Sequence, residues 1–401
     1  MNSFVDLGTA PFFIERLAER NIQHPTEIQK RVIPRMLAGE QVLFRSATGT
    51  GKTFAYLIPL VQRFLGLGDD GQGGDSRRLD RTGVSGPAIL ILAPTCELCS
   101  QIKQEADFLV HERPGAPVKV HLVIGSANMS RQIDGLKKDR PAIIVGNPAR
   151  LLALARMGKL KLDRVEALVL DEGDRLMAEE LAGETGELVR RINPQRQTAA
   201  CSATMSATSK ERLLPLMGGT VVIEETEEQE ILRERISHWA IFSEDRRKIS
   251  ALGSFLAAAE AKKVLVFTAR GGQVGNIVSQ LQYHKIPAVG LYGDMDKKNR
   301  KQALDDFRAE RARVLVSSDL AARGLDIPGI SHVIALDVLN DPEAYIHRAG
   351  RTGRAGKRGI MVTFGDADEL RNLARLEKKL GIAVYPKVLY RGRICTPENN
   401  N

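Results

Sequence analysis

The chain has 401 residues, 43% of them hydrophobic, and a formal net charge of +9 from 58 basic and 49 acidic side chains. This length suits two or three domains of about 150 residues, and the few cysteines exclude the disulfide framework of a small secreted scaffold. Because no apolar run approaches the ~20 residues of a membrane span and the N-terminus has no basic leader, we expect a soluble, cytoplasmic protein without a membrane partner. The basic surplus favours a polyanionic partner.

Apolar segments and helical patterns alternate along both halves of the chain, which is typical of βαβ units and of parallel sheets buried on both faces. The predicted strands of the first half are Val42–Phe44, Ala88–Ala93, Val118–Ile124, Ala142–Val145, Ala167–Leu170 and Gln197–Cys201. Those of the second half are Val264–Thr268, Ala288–Leu291, Arg313–Ser317, His332–Leu336 and Gly359–Thr363. The pattern predicts an α/β protein with two mostly parallel sheets, each with helices on both faces.

A glutamate-rich segment separates the two halves. Residues 224–230 contain five glutamates and little apolar content, so we expect a solvated connector. A stretch rich in Gly, Asp and Arg at 66–86 predicts a mobile loop within the first half. The predicted organisation is a first domain at 1–222, a flexible linker at 223–236, a second domain at 237–391 and a short flexible tail at 392–401.

A candidate phosphate-binding loop follows the first predicted strand and precedes an apolar helix. Its sequence is Ser46-Ala47-Thr48-Gly49-Thr50-Gly51-Lys52-Thr53. The glycines let main-chain N–H groups surround phosphate oxygens, Lys52 adds positive charge near the β- and γ-phosphates, and Thr53 can ligate Mg²⁺ at the helix N-terminus. The alternative is a glycine turn with an exposed lysine, but the flanking strand and helix favour a nucleoside triphosphate site.

An acidic segment with the sequence DEGD ends another predicted strand. A nucleotide hydrolase needs a carboxylate for its metal and a neighbour that orients water. We therefore assign Asp171 to Mg²⁺, Glu172 to the attacking water and Asp174 to a coupling contact. After the next predicted strand, Ser202 and Thr204 offer hydroxyls that can hydrogen-bond this acidic loop and relay its state, although such residues alone are typical of any turn.

The second half carries one strongly basic segment, His347-Arg348-Ala349-Gly350-Arg351-Thr352-Gly353-Arg354-Ala355-Gly356. Three arginines stand at fixed spacing among glycines, which suits fork-shaped donors presented to phosphate from tight turns. The alternative is a basic loop without a ligand. The glycine register favours phosphate recognition.

In their order and spacing, the segments SATGTGKT, PTCEL (Pro94–Leu98), NPAR (Asn147–Arg150), DEGD, SAT and HRAGRTGR resemble the motifs of the DEAD-box RNA helicases of superfamily 2. The resemblance covers about residues 4–390 and implies two tandem RecA-like domains. Phe4 and the segment Pro25–Gln29 are similar to the family's adenine-reading motif. By this resemblance Gln29 bonds the adenine edge, since its amide has a donor side and an acceptor side.

The resemblance implies further roles, residue by residue. It makes Arg351 and Arg354 arginine fingers for the γ-phosphate, worth about 10³–10⁵ in rate, and it places Asp326 against the ATP ribose. His347 joins the coupling residues Asp174, Ser202 and Thr204. The implied RNA contacts are Thr95, Asn147, Arg150, Thr268, Arg300, Ser318 and Arg348.

Several positions depart from the family's pattern. Gly173 replaces an alanine but keeps its small size and both neighbouring carboxylates, so we expect activity to survive. Cys96 replaces an arginine and Ser126 a glycine, which predicts weaker affinity for RNA. Ile22 stands where an aromatic residue would face adenine, and Lys297 adds a charge beside the RNA path.

The motifs together predict an RNA-dependent ATPase that locally unwinds or remodels RNA duplexes and RNA–protein complexes, with ATP and Mg²⁺ as cofactors. Because the phosphate loop and the arginines lie in different halves, ATP and RNA would have to close the two domains on each other. Contacts to the RNA backbone and 2′-OH groups carry little sequence preference. Two alternatives stay open, an ATP-gated RNA clamp with weak turnover and a superfamily 2 DNA helicase. We expect a monomer, since the sequence contains no heptad seam.

Overall fold

The computed structural model of the chain describes residues 3–46, 49–66, 86–111, 118–225, 234–259, 261–293, 295–319, 327, 329–353 and 357–397. The predicted site residues Ala47, Thr48, Asp326 and Arg354 lie outside this set, as do most of the 66–86 stretch, residues 226–233 of the predicted linker and residues 398–401 of the predicted tail. The chain divides into two compact units, Met1–Thr226 (unit 1) and Glu227–Asn401 (unit 2). Among the helices in the described ranges, none has the length and apolar character needed to cross a membrane.

Unit 1 is built on a parallel sheet whose described strands have the spatial order β3-β4-β2-β5-β6-β1-β7. The strands are β1 Gln41–Arg45, β2 Ile89–Leu92, β3 Val120–Val123, β4 Ile143–Gly146, β5 Ala167–Asp171, β6 Gln197–Ser202 and β7 Val221–Glu225. The helices are α1 Pro11–Glu19, α2 Glu27–Leu37, α3 Lys52–Leu65, α4 Cys96–Val110, α5 Met129–Asp139, α6 Pro148–Arg156, α7 Gly173–Leu176, α8 Glu179–Arg190 and α9 Ala207–Met217.

Alternate residues of the strands in unit 1 enter two separate hydrophobic cores. In β1, Val42 and Phe44 pack in the core that contains Ile58 of α3, whereas Leu43 packs in the core that contains Leu188 of α8. Successive side chains of a strand point to opposite faces of the sheet. Both faces are therefore buried, which explains why the strands read as continuous apolar runs and confirms the predicted α/β layering.

Unit 2 repeats this plan, with the described strand order β10-β11-β9-β12-β13-β8-β14-β15. All neighbours are parallel except the terminal pair β14 and β15, which form an antiparallel hairpin. The strands are β8 Ile236–Phe242, β9 Val264–Phe267, β10 Ala288–Leu291, β11 Val314–Ser317, β12 His332–Ala335, β13 Gly359–Gly365, β14 Val384–Tyr390 and β15 Arg393–Cys395. The helices are α10 Lys248–Ala258, α11 Val274–Tyr283, α12 Lys297–Arg308, α13 Pro342–Ala349 and α14 Ala367–Leu380.

Strands at the edges of the sheets differ from the sequence prediction. The sequence predicts no strand at β7, β8, β14 or β15. Glu224 and Glu225, which we assigned to the linker, are the last residues of β7 and pair in register with Phe44 and Arg45 of β1. Arg35 contacts Glu224 at 2.6 Å and Arg45 contacts Glu225 at 3.1 Å, so arginines on neighbouring elements fix these two glutamates in the sheet.

Candidate nucleotide and RNA sites

The phosphate loop connects β1 to the N-terminus of α3, as the sequence predicts. Gly49 and Gly51 have φ angles of +80° and +87°, a region that favours glycine, and Gly51 is the N-cap of α3. Lys52 Nζ donates to the main-chain oxygen of Ser46 at 2.6 Å, and the hydroxyls of Ser46 and Thr50 lie 2.7 Å apart. Hydrogen bonds within the loop thus hold Lys52 at the end of a helix, where anions bind.

Gln29 ties the N-terminus of α2 to this loop. Its Oε1 accepts from the N–H of Thr26 at 2.9 Å, and its Nε2 donates to the carbonyl oxygen of Gly51 at 3.1 Å. A Cβ on Gly51 would overlap the Gln29 amide, so glycine is required for this approach as well as for its φ angle. An amide has two N–H groups and two lone pairs on oxygen. These contacts with described residues use one donor and one acceptor of the amide, and the predicted contact with adenine would use the other pair.

Phe4 occupies a different environment from the one expected of a nucleotide contact. Its side chain is 2% exposed and packs in the α3 side of the unit 1 core, and Ile22 packs against the same core. The sequence alone did not separate these two roles, because an aromatic residue suits a core as well as an adenine ring. Phe4 therefore packs in the core in this structure, and its contact with adenine stays a prediction.

Asp171 lies at the carboxyl end of β5, and three groups donate to its carboxylate. Tyr56 of α3 donates its hydroxyl to Oδ2 at 2.8 Å, while the Cys201 thiol and the main-chain N–H of Glu172 reach Oδ1 at 3.2 and 2.9 Å. Burial, and then the charge of Asp171, raise the pKa of Tyr56 and of Cys201 far above their ordinary values. Both groups thus keep the protons that they donate. No motif in the sequence marks Tyr56 or Cys201 as a contact of Asp171.

Glu172 has an unusual backbone conformation. Its φ and ψ are 51° and 52°, the left-handed region, and it is the N-cap of the short helix α7. A non-glycine residue there costs roughly 1–2 kcal/mol. Strain of this kind persists where the surrounding structure holds a functional side chain in place, which agrees with the predicted role of Glu172 in orienting water.

Asp174 accepts hydrogen bonds from the two hydroxyl residues that follow β6. Ser202 Oγ donates to Oδ1 at 2.5 Å and Thr204 Oγ1 donates to Oδ2 at 2.7 Å. The contact between these hydroxyls and the acidic loop, which the sequence predicts, is therefore present. Their role in coupling stays a prediction.

Gly173 fits closely against a neighbouring helix. A Cβ added to Gly173 would lie 3.1 Å from Cδ1 and 3.3 Å from Cδ2 of Leu213 in α9. The glycine therefore leaves room that the Leu213 side chain uses. An alanine would fit after a small shift of that side chain.

The predicted RNA contacts of unit 1 follow the other strands of the same sheet edge. Asn147 Oδ1 accepts from the N–H of Gly125 at 3.2 Å, and Arg150 donates to the carbonyl oxygen of Gly125 at 2.7 Å. Thr95 caps α4 by accepting from the N–H of Leu98 at 3.2 Å. The residues predicted to bind phosphate and metal follow β1, β5 and β6, whereas these predicted RNA contacts follow β2 and β4, so the strand order separates the two sets.

In unit 2, Thr268 and Ser318 follow the neighbouring strands β9 and β11. The N–H of Thr268 donates to the carbonyl oxygen of Ser317 at 3.1 Å, and Thr268 Oγ1 accepts from the N–H of Arg270 at 3.3 Å. Arg300 lies in the first turn of α12. The structure therefore brings Thr268 and Ser318 together at one sheet edge.

Arg348 differs from the expectation of a surface contact with RNA. Its side chain is 2% exposed, donates to Asp319 at 2.7 and 2.5 Å and to an Asp337 carboxylate oxygen at 2.9 Å. Asp337 also accepts from the N–H of Ala269. Burial alone would lower the pKa of Arg348, but the two aspartates raise it. Arg348 therefore joins the loops after β9, β11 and β12 and does not present its guanidinium at the surface.

The remaining predicted residues of unit 2 lie at the end of α13. His347 is in the last turn of this helix, and the N–H of Arg351 donates to the carbonyl oxygen of Arg348 at 3.1 Å. Arg351 thus lies one turn after the buried Arg348.

The donor set in unit 1 fits Mg²⁺. Asp171 supplies a carboxylate and Thr53 a hydroxyl in the first turn of α3, and Mg²⁺ prefers hard oxygen ligands. Among the residues whose positions are described, no cluster of three or more His, Cys, Asp and Glu side chains could cage a metal ion. The arrangement suits an ion held by one or two protein oxygens, with phosphate oxygens and waters completing its shell.

Comparison with known proteins places these features in one family. The family described as DEAD/DEAH box helicase matches residues 26–213, and the helicase conserved C-terminal domain matches residues 247–356. The chain is 32% identical over 382 residues to the DEAD-box ATP-dependent RNA helicase CshC of Bacillus cereus, covering 95% of this chain and 92% of that protein.

Solved structures share the fold of the chain. S. cerevisiae Dbp5 bound to RNA and ADP BeF3 has a TM-score of 0.82 at 23% identity, covering 97% of this chain and 96% of that one. Mss116p bound to ssRNA and AMP-PNP has a TM-score of 0.80 at 24% identity, covering 95% of this chain and 77% of that one. The fold is that of two tandem RecA-like domains.

Proposed function

The chain belongs to the DEAD-box ATP-dependent RNA helicases, and on that premise we propose that it couples ATP hydrolysis to local unwinding or remodelling of RNA duplexes and RNA–protein complexes. The observation that carries the proposal is the carboxyl edge of the unit 1 sheet. There the phosphate loop, Asp171 and the Asp174 hydrogen bonds follow the adjacent strands β1, β5 and β6.

We propose the following roles for the residues of unit 1. Lys52 and the main-chain N–H groups of the phosphate loop bind the triphosphate, and Gln29 uses its remaining donor and acceptor on adenine. Asp171 and Thr53 hold Mg²⁺, which neutralises phosphate charge when bound. Glu172 orients the attacking water and takes its proton, a contribution typically worth about 10²–10⁴ in rate.

Coupling to RNA follows from the neighbouring loops. Thr95, Asn147 and Arg150 in unit 1, with Thr268, Arg300 and Ser318 in unit 2, bind the RNA backbone. Arg351 and Arg354 complete the hydrolysis site when ATP and RNA close the two domains. The Asp174–Ser202–Thr204 contacts, with His347, transmit the state of the nucleotide. Because each ligand favours the closed form, ATP and RNA raise each other's affinity.

We propose that the protein works in the cytoplasm as a monomer, with RNA as its polyanionic partner. Its net charge of +9 supports such a partner. Contacts to phosphate and 2′-OH groups make binding largely independent of RNA sequence, and binding weakens steeply as salt rises.

The test is ATP turnover by Glu172→Gln with and without single-stranded RNA. We expect the variant to bind ATP and RNA while its RNA-stimulated turnover falls at least about 10²-fold. Glu180→Gln, the same change at an exposed position on α8, is the matched control and should keep wild-type turnover. Wild-type turnover by Glu172→Gln would contradict the assignment.

Two further measurements separate the alternatives. Stimulation of turnover by DNA as strong as that by an RNA strand of the same sequence would favour a DNA helicase. Tight ATP-dependent RNA binding by the wild type without turnover would favour an ATP-gated clamp. We expect RNA-specific stimulation with turnover.

A further inference from the structure

Asp171 is held on both carboxylate oxygens by side chains for which the proposed hydrolysis has no role. Tyr56 reaches Oδ2 at 2.8 Å, and Cys201 reaches Oδ1 at 3.2 Å. A carboxylate without a proton can only accept hydrogen bonds, so the phenol and the thiol are the donors. These two donors thus contact the residue that holds the metal in the proposed function.

The fold fixes where both donors lie. Tyr56 follows Lys52 and Thr53 on the same helix, is fully buried, and lies one turn from the helix N-terminus at which the phosphate loop ends. Cys201 is the register partner of Asp171 in the parallel pair of β5 and β6, and it is also fully buried. Neither donor can move without disturbing the packed core. The carboxylate is therefore anchored from one rigid helix and one rigid strand.

Two donors in fixed positions restrict how the Asp171 carboxylate can rotate. With the main-chain N–H of Glu172 at 2.9 Å, three of its roughly four acceptor sites are occupied by protein donors. Among the described contacts this leaves about one acceptor site, on Oδ2, for a ligand. Rotation of the carboxyl group would break bonds that solvent cannot replace in a buried site. The carboxylate is thus held ready in one orientation before any ligand arrives.

We propose that Tyr56 and Cys201 are positioning residues for Mg²⁺, which hold the Asp171 carboxylate in the orientation that receives the ion with its nucleotide. This inference rests on the proposed function, since it assigns a metal role to Asp171. It extends the site to a second layer that includes a phenol from the phosphate-loop helix and a thiol from β6.

A purely structural role is the competing explanation. In that case the hydroxyl and the thiol are buried polar groups that need a partner, and their loss affects stability alone. The two explanations differ in one measurable respect. A positioning role affects nucleotide binding only when Mg²⁺ is present, whereas a structural defect affects binding equally with and without the ion.

The experiment measures the affinity of the full chain for a fluorescent ADP analogue, first with excess EDTA and then in a titration with Mg²⁺. For Tyr56→Phe we expect the Mg²⁺ concentration at half-saturation to rise about fivefold or more, because a hydrogen bond to a charged group is lost. The affinity in EDTA should stay within about twofold. Tyr283→Phe removes the same hydroxyl from a side chain that is 84% exposed, and should match the wild type.

Cys201 provides a second, independent pair of variants. Cys201→Ala removes the donor and should raise the Mg²⁺ concentration needed for half-saturation. Cys201→Ser keeps an O–H donor and should bring that concentration most of the way back to the wild-type value. This pair also decides the question if Tyr56→Phe fails to fold. A positioning role predicts the split between alanine and serine, which loss of packing volume alone does not.

The inference is overturned if Tyr56→Phe and Cys201→Ala leave the Mg²⁺ requirement unchanged, or if they weaken binding equally in EDTA. That failure is distinct from a failure of the proposed function. If only this inference fails, the wild type still hydrolyses ATP in response to RNA. If the proposed function fails, the wild type shows no RNA-stimulated turnover at all.

Discussion

In each unit the candidate residues lie at or near the carboxyl ends of parallel strands, but the interactions that hold these residues differ between the units. In unit 1 the carboxylates of Asp171 and Asp174 receive hydrogen bonds from a phenol, a thiol and two hydroxyls. In unit 2 the loops are joined by a buried guanidinium, Arg348, between Asp319 and Asp337. The difference is one of neutral donors against ion pairs.

This difference teaches where each unit is vulnerable. Removing a neutral donor from one of these carboxylates costs one hydrogen bond, while the other donors to the same carboxylate remain. Removing one member of a buried ion pair leaves a charge without its partner in a poorly solvated place. Unit 2 should therefore depend strongly on single charged residues, whereas unit 1 should lose stability in smaller steps.

The largest expected effect is in unit 2. Arg348→Met should lower its free energy of unfolding by about 3 kcal/mol, the low end of the range for a broken buried pair, because Asp319 and Asp337 are 29% and 19% exposed. Urea unfolding can be followed by the fluorescence of Trp239, the single tryptophan of the chain, which lies in β8.

Arg246→Met is the control for this change, since Arg246 is 77% exposed and contacts Glu244 at the surface. It should alter stability by less than about 0.5 kcal/mol. If Arg348→Met costs no more than Arg246→Met, the contrast between ion pairs and neutral donors fails.

The second largest expected effect is a loss of the stability of unit 2 in acid. Burial, and then the charge of Arg313, lower the pKa of His332 to about 4 from its ordinary 6.5. Between these values the unfolded chain binds more protons than the folded chain, so the free energy of unfolding is retained above about pH 6.5 and falls as the pH falls towards 4. At about pH 5 the loss is at most about 2 kcal/mol, and smaller to the extent that water reaches the ring.

Urea unfolding at about pH 7.5 and pH 5, again followed by Trp239, measures this loss. His332→Gln cannot titrate and should show a smaller fall between the two pH values than the wild type. Equal falls in the two proteins would mean that His332 does not contribute to the acid sensitivity of unit 2.

A smaller effect is expected at the neutral donors of unit 1. Thr204→Val removes the 2.7 Å hydrogen bond to Asp174 and leaves that of Ser202 in place. We expect a loss of about 1–2 kcal/mol in the protection of α7 and β6 amides against hydrogen exchange. The exposed Thr220→Val makes the same change away from the site.

If the bond also couples the nucleotide to RNA, Thr204→Val should reduce the ratio of RNA-stimulated to basal turnover, and Thr220→Val should not. If the protection free energy lost in Thr204→Val equals the unfolding free energy lost in Arg348→Met, the distinction between the units fails.

The smallest effect concerns Gly173. Gly173→Ala gains up to about 1 kcal/mol of helix propensity in α7, but its Cβ would lie 3.1 Å from Leu213. Because the contact is with the end of a flexible side chain, the two effects should nearly cancel. We expect a change in stability below about 0.5 kcal/mol and ATP turnover within about twofold of the wild type. A tenfold change in turnover would show that the glycine has a role in catalysis.

The sequence predicted the central strands of both sheets and the groups at their ends, because continuous apolar runs and short motifs are local signals. It did not predict β7, β8, β14 or β15, which lie at or near one end of each strand order and mix polar residues with apolar ones. Glu224 in particular reads as part of a solvated run. In the structure it pairs with Phe44 of β1, and its carboxylate contacts Arg35, which is 189 residues away along the chain.

The site was predicted as a set of motifs and not as a network. In the sequence, Tyr56 and Cys201 lie in apolar segments that are typical of a core. Only the packing of α3 against β5 and β6 shows that both side chains donate to the Asp171 carboxylate. The family resemblance implied that Arg348 contacts RNA, and its partners Asp319 and Asp337, 29 and 11 residues away, became visible only in the structure. Contacts set by strand order are not readable from local spacing.

The order of the strands in unit 1 has a consequence for how such a protein can change over evolution. The loops after β3, β4 and β2 lie on one half of the sheet edge, and those after β5, β6 and β1 lie on the other half. Loops tolerate substitution better than the strands that carry them. In the proposed function, Ser126 and its neighbours in the loop after β3 can therefore vary without altering the residues proposed to bind the phosphates. In the proposed function, RNA recognition can thus diverge while the nucleotide site is kept, because the two sets of residues follow different strands.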